Sequence, residues 1–64
     1  MKYRIRELRE SIGMTQTELS EKSGVTRTTI WKLENGDDEI TTTKTLIKIA
    51  EALNVSVDKL FLAV

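Results

Sequence analysis

Three features of the 64-residue sequence predict an all-α fold, a compact bundle of five helices. Apolar residues recur at three- and four-residue spacing in several short segments. Glycines and threonine-type caps stand between those segments. No alternation of apolar and polar residues runs long enough to make a strand, and the chain has no proline, internal repeat or low-complexity stretch.

Each helix has its own start and stop signals. Ile5, Leu8 and Ile12 form the apolar stripe of the first, which Gly13 should end. Thr15 is placed to cap the second, with Glu18 three residues on closing a capping box and Met14 and Leu19 forming a hydrophobic staple around it. Gly24 supplies the left-handed turn that stops this helix. Val25 and Ile30 repeat the staple around Thr26, so the third helix is expected from Thr26 or Arg27 to about Asn35, with Gly36 closing it. Leu46, Ile49, Ala50 and Leu53 mark the fourth, capped by one of the threonines at 41 to 43. Val55 and Leu60 bracket Ser56, and Asp58 sits in the first turn of a short fifth helix running into Phe61 and Leu62.

Length and composition limit the function. A chain of 64 residues reads as one domain, 1–64, with no room for a separate catalytic unit. It contains neither cysteine nor histidine, which removes disulfides, thiolate ligands and the commonest general base. No glycine-rich phosphate loop or paired catalytic carboxylates stand out, so no enzyme, cofactor or metal site is expected; Asp37 and Asp38 make a poor metal reading. The longest apolar run, Leu60 to Val64, is far short of a membrane span, and the expectation is a cytoplasmic protein. Ten Lys or Arg against ten Asp or Glu give a formal charge of zero, so any nucleic-acid partner must be argued from where the cations sit.

The third helix carries that argument. Placed at about 100° per residue, Thr26, Ile30 and Leu33 share one side. Thr28, Lys32 and Asn35 lie opposite, with Arg27 and Trp31 on a flank. A short helix, a glycine turn and a second helix with a hydrogen-bonding outer face describe a helix-turn-helix over about residues 15–35, whose second helix enters the major groove of DNA.

The stretch TQTELSEKSGVTRTTIWKLENG resembles the helix-turn-helix of the Cro and phage-repressor regulators, the Xre-like family. Gln16 opens the first helix of the pair, Leu19, Val25, Ile30 and Leu33 match its buried positions, Ser20 is the small residue where the helices approach, and Gly24 is the turn. TLIKIAEALNVSVDKLF, residues 45 to 61, is similar to the family's fourth and fifth helices. The resemblance implies a lambda-repressor-like five-helix domain that binds double-stranded operator DNA and regulates transcription, as a prokaryotic or phage-encoded, nucleoid-associated protein.

It also implies that residues matching Gln16, Arg27, Thr28 and Lys32 read bases. The chemistry suits this: Arg27 matches guanine O6 and N7, Lys32 a guanine acceptor or a phosphate, and the Thr28 methyl a thymine. Thr15, Thr26, Thr29, Trp31 and Asn35 are expected to position the protein on phosphates. Across residues 16–33 only Lys22, Arg27 and Lys32 face Glu18 and Glu21, and the acidic loop Asp37-Asp38-Glu39 follows, so affinity is expected to be modest. The cluster Lys2, Arg4, Arg6 and Arg9 would compensate if the first helix leans on phosphates.

One recognition helix reads few base pairs, so a symmetric homodimer on a pseudo-palindromic operator is expected, with half-sites about 34–36 Å apart. Its interface is assigned to the apolar tail: Leu60, Phe61, Leu62 and Val64. The alternative is a protein-interaction module of the same fold, such as an antitoxin that binds a partner protein through that tail.

Overall fold

A computed structural model describes residues 3–35 and 42–61. They form four α-helices and one 3-10 turn: α1 Ile5–Ser11, α2 Gln16–Ser23, α3 Arg27–Glu34, α4 Thr43–Leu53 and the turn Val57–Leu60. The expected closing residue Gly36, the acidic loop 37–39, Lys2, Leu62 and Val64 lie outside the described residues.

The boundaries follow from backbone groups that need partners. The Thr15 hydroxyl accepts from the Glu18 amide at 3.0 Å while the Glu18 carboxylate accepts from the Thr15 amide at 2.8 Å, the reciprocal capping box read from the sequence. Gly24 ends α2 at φ 76°, and no atom lies within 4 Å of where a Cβ would stand, so the glycine serves backbone conformation rather than space. Thr26 caps α3 by accepting from the Thr29 amide, and Thr42 is the threonine that caps α4. Asn54, at φ 59°, supplies the left-handed residue that stops α4.

Two sequence expectations are corrected here. The fifth helix is a four-residue 3-10 turn and not an α-helix. The chain leaves it extended: the Arg4 amide donates to the Leu60 carbonyl at 2.6 Å and Tyr3 pairs with Phe61 in an isolated antiparallel bridge, which draws the segment away from a further helical turn. Ile12, assigned to the core stripe, is 56% exposed, because α1 already stops at Ser11 and Ile12 turns outward ahead of Gly13 at φ 70°.

The core joins all the elements. Ile5 of α1, Leu19 of α2, Ile30 and Leu33 of α3, Ile49 of α4 and Leu60 of the 3-10 turn are buried together. Leu60 is fully inside this cluster, so its assignment to a dimer surface is also corrected: it has no area left to offer a partner. α2 packs on both α3 and α4, and α1 packs on α3, which fixes the helix-turn-helix pair from two sides.

One charged pair lies among these apolar residues. Glu34, the last residue of α3, is buried, and Arg9 of α1 meets it with Nε at 2.8 Å and Nη2 at 3.2 Å. Arg9 Nη1 donates to the Met14 carbonyl in the α1–α2 turn at 2.8 Å, so every face of the guanidinium is tied. This removes Arg9 from the cationic cluster expected to lean on DNA. Arg4 is likewise paired, with Glu7 at 2.6 Å, whereas Arg6 stays half exposed.

Removing one member of such a pair strands the other charge in the core. Glu34→Ala should therefore lower unfolding stability by about 3–5 kcal/mol, measured by urea denaturation; a loss near that of an ordinary surface substitution would contradict the burial. The amide of Thr15 holds the Glu18 carboxylate below the usual glutamate range, so its contribution is present above that range and lost as pH falls through the lowered value. Thermal scans across acidic pH should show Tm falling further in the natural protein than in Glu18→Gln; parallel curves would contradict the capping box.

Candidate nucleic-acid interface

The helix-turn-helix pair places α2 and α3 so that the N-terminus of each opens on the same side. Gln16 is the first residue of α2, and Arg27 and Thr28 are the first two of α3. With Trp31 one turn on, these side chains line a single open concavity of about 470 Å³. Of the residues assigned to base reading, Gln16, Arg27 and Thr28 thus share one surface, joined by Trp31 from the phosphate set. Lys32 does not line it: it stands one turn beyond Thr28 and is partly buried.

Trp31 is 55% exposed and stands on the outer face of α3. A large half-exposed indole on a helix presents an apolar ring and an N–H donor together, a pairing suited to lying along a polyanion backbone. Arg27 and Thr28 are exposed beside it.

The other positioning candidates have hydrogen-bonding work within the protein. The Thr15 and Thr26 oxygens are occupied as caps, and the Thr26 hydroxyl donates to Thr29 Oγ1 at 3.0 Å. Asn35 Nδ2 donates to the Trp31 carbonyl at 2.8 Å, so its amide closes the C-terminus of α3. Thr15 and Thr29 retain a hydroxyl proton to donate outward and Asn35 a second N–H, whereas the Thr26 proton is spent on Thr29. The structure therefore gives these residues a helix-ending role that sequence spacing had assigned clearly only to Thr15 and Thr26.

Glu34 is the site residue that sequence reasoning missed. Gln16 Nε2 donates to its Oε1 at 2.9 Å, so the first residue of α2 is joined to the last of α3 and, through it, to Arg9 of α1. A signal was present. Glu34 follows Ile30 by four residues and Leu33 by one, and Arg9 stands in the same relation to Ile5 and Leu8, which puts each charge about 40° around its helix from the buried isoleucine one turn before it. Opposite charges at equivalent positions on two apolar faces identify a pair.

The comparisons with known proteins agree with this architecture. The helix-turn-helix family model HTH_3 matches residues 5–60. An uncharacterized HTH-type transcriptional regulator of Archaeoglobus fulgidus is 44% identical over 62 residues, covering 97% of this chain and 87% of the relative. The transcriptional repressor RstR of the cryptic phage CTXphi, from Vibrio cholerae, is 35% identical over 60 residues, with 94% of this chain matched to 53% of that protein. Among solved structures, the restriction-modification controller protein C.AhdI of Aeromonas hydrophila superposes with a TM-score of 0.84 at 33% identity, over 91% of this chain and 86% of that one. With the family model spanning all four helices and the 3-10 turn, this chain belongs to the helix-turn-helix family of Cro and phage-repressor-type (Xre-like) transcriptional regulators.

Proposed function

We propose that this regulator acts as a homodimeric repressor, with α3 in the major groove of a pseudo-palindromic operator. The observation that carries the reading is the convergence of Gln16, Arg27, Thr28 and Trp31 on one open surface at the N-terminal ends of α2 and α3. Arg27 supplies two parallel donors for guanine O6 and N7, and the Thr28 methyl packs on a thymine. Gln16 contacts DNA from the start of α2, and Lys32 reaches a guanine acceptor or a phosphate farther along the groove. Trp31, with the outward protons of Thr15, Thr29 and Asn35, fixes the register on the phosphates, and Thr26 supports it by holding the Thr29 hydroxyl in place.

The dimer surface rests on Phe61. Phe61 is 45% exposed and its ring packs 5.6 Å from that of the buried Tyr3, so one large apolar side chain is held outward on a fixed support. Leu62 and Val64 follow it in the sequence. A two-fold pair built there doubles a readout that one short helix cannot make specific by itself. RstR is named a transcriptional repressor, and repression is the direction proposed for this chain.

Selection of bound duplexes from a random pool should return a palindromic consensus. Arg27→Ala should relax one position in each half-site, with about 1–3 kcal/mol of discrimination lost there; an unchanged consensus, or no consensus at all, would defeat the assignment. Sedimentation equilibrium should show a dimer that Phe61→Asp converts to monomer. A monomer at millimolar concentration of the natural protein would remove the dimer from the proposal.

A further inference from the structure

We infer that Glu34 is a positioning residue for DNA readout, because its buried carboxylate decides which end of the Gln16 amide faces the groove. The inference rests on the reading that Gln16 contacts DNA. An amide side chain has oxygen and NH2 ends of nearly the same size, so a free glutamine on an exposed rim offers either to a duplex. Gln16 does not have that freedom. An ionised carboxylate only accepts hydrogen bonds, so the end turned toward Glu34 must be the NH2, and Nε2 lies 2.9 Å from Oε1.

The carboxylate itself is held still. Arg9 grips both of its oxygens, at 2.8 and 3.2 Å, and is tied in turn to the Met14 carbonyl one residue before the cap of α2. Arg6 adds a cation at 3.9 Å from the oxygen that Gln16 uses. Glu34 thus has every strong partner on the protein side, and no buried side-chain polar atom among the described residues is left without one. Gln16 is left with its oxygen and one N–H for the concavity it shares with Arg27 and Thr28. One acceptor beside one donor is the complement of an adenine edge, which offers the N6 amino group and N7. The pair Arg9–Glu34 makes no such contact itself; it acts through Gln16 by removing the flipped amide, which would present a donor where the base also donates.

A double-mutant cycle on the duplex selected by the natural protein tests this, at a temperature where circular dichroism shows all four proteins folded. Gln16→Ala should weaken binding about tenfold. Glu34→Gln should weaken it about threefold or more with Gln16 present, and by less than about twofold in the Gln16→Ala background. Losses that multiply, with Glu34→Gln equally harmful in both backgrounds, would overturn the inference and leave the DNA-binding reading intact. Gln16→Ala with unchanged affinity and consensus would instead remove Gln16 from the interface, and the inference with it. A second measurement needs no variant: Gln16 is the only glutamine, so its side-chain NH2 resonances are unambiguous. Their exchange with water should be slower than that of the exposed Asn54 amide in the DNA-free protein; equal rates would overturn the positioning role directly.

Discussion

The buried contact between Arg9 and Glu34 is the constraint on which the rest of the molecule depends. Two ions taken out of water cost more than they return unless their geometry is good and their remaining hydrogen bonds are met. Here the guanidinium gives both oxygens a donor and sends its third edge to the Met14 carbonyl, while the carboxylate also accepts from Gln16. The location adds a further cost, since a carboxylate at the C-terminal end of α3 faces the negative end of the helix dipole. An apolar pair of similar size would serve stability at least as well. What the ion pair supplies instead is direction: it ties α1, the α1–α2 turn, the first residue of α2 and the last residue of α3 to one another, and so sets the relative placement of the two helices that share the outer concavity.

Around that point the apolar packing is ordinary for a domain of this size. Ile5, Leu19, Ile30, Leu33, Ile49 and Leu60 fill one small core, and α2 rests on α3 and α4 together. A small core leaves little stability to spare, which is why caps worth about 1 kcal/mol each matter here. Thr15, Thr26 and Thr42 all cap by accepting from the third helical amide, so three helix starts are fixed by the same device. The cap residues of α2 and α3 flank the concavity, and the bonds that end those helices also hold its rim.

Where sequence and structure agree, local chemistry sufficed. The capping box of Thr15 and Glu18, the turn at Gly24 and the start of α3 after Thr26 are set within a few residues, and each was read directly. The shared surface of Gln16, Arg27 and Thr28 was legible too, through helical phase and the family resemblance. The failures came where distant segments meet. Leu60 looked like surplus apolar tail until α4 and the 3-10 turn enclosed it, and the last helix shortened because Tyr3 and Arg4, nearly sixty residues earlier, pair with Phe61 and Leu60. Arg9 read as a cation for phosphates because its partner lies twenty-five residues away on another helix.

The central claim is that the three-helix tie presents one side of the molecule, the N-terminal ends of α2 and α3, to a duplex. Titration of isotopically labelled protein with a selected duplex at low ionic strength tests it most directly, by following backbone amides and the Trp31 indole N–H. The account predicts the largest shifts at Gln16, Arg27, Thr28 and Trp31, with Lys44 and Lys48 of α4 little changed. Shifts centred on α4, or none at saturating duplex, would contradict it.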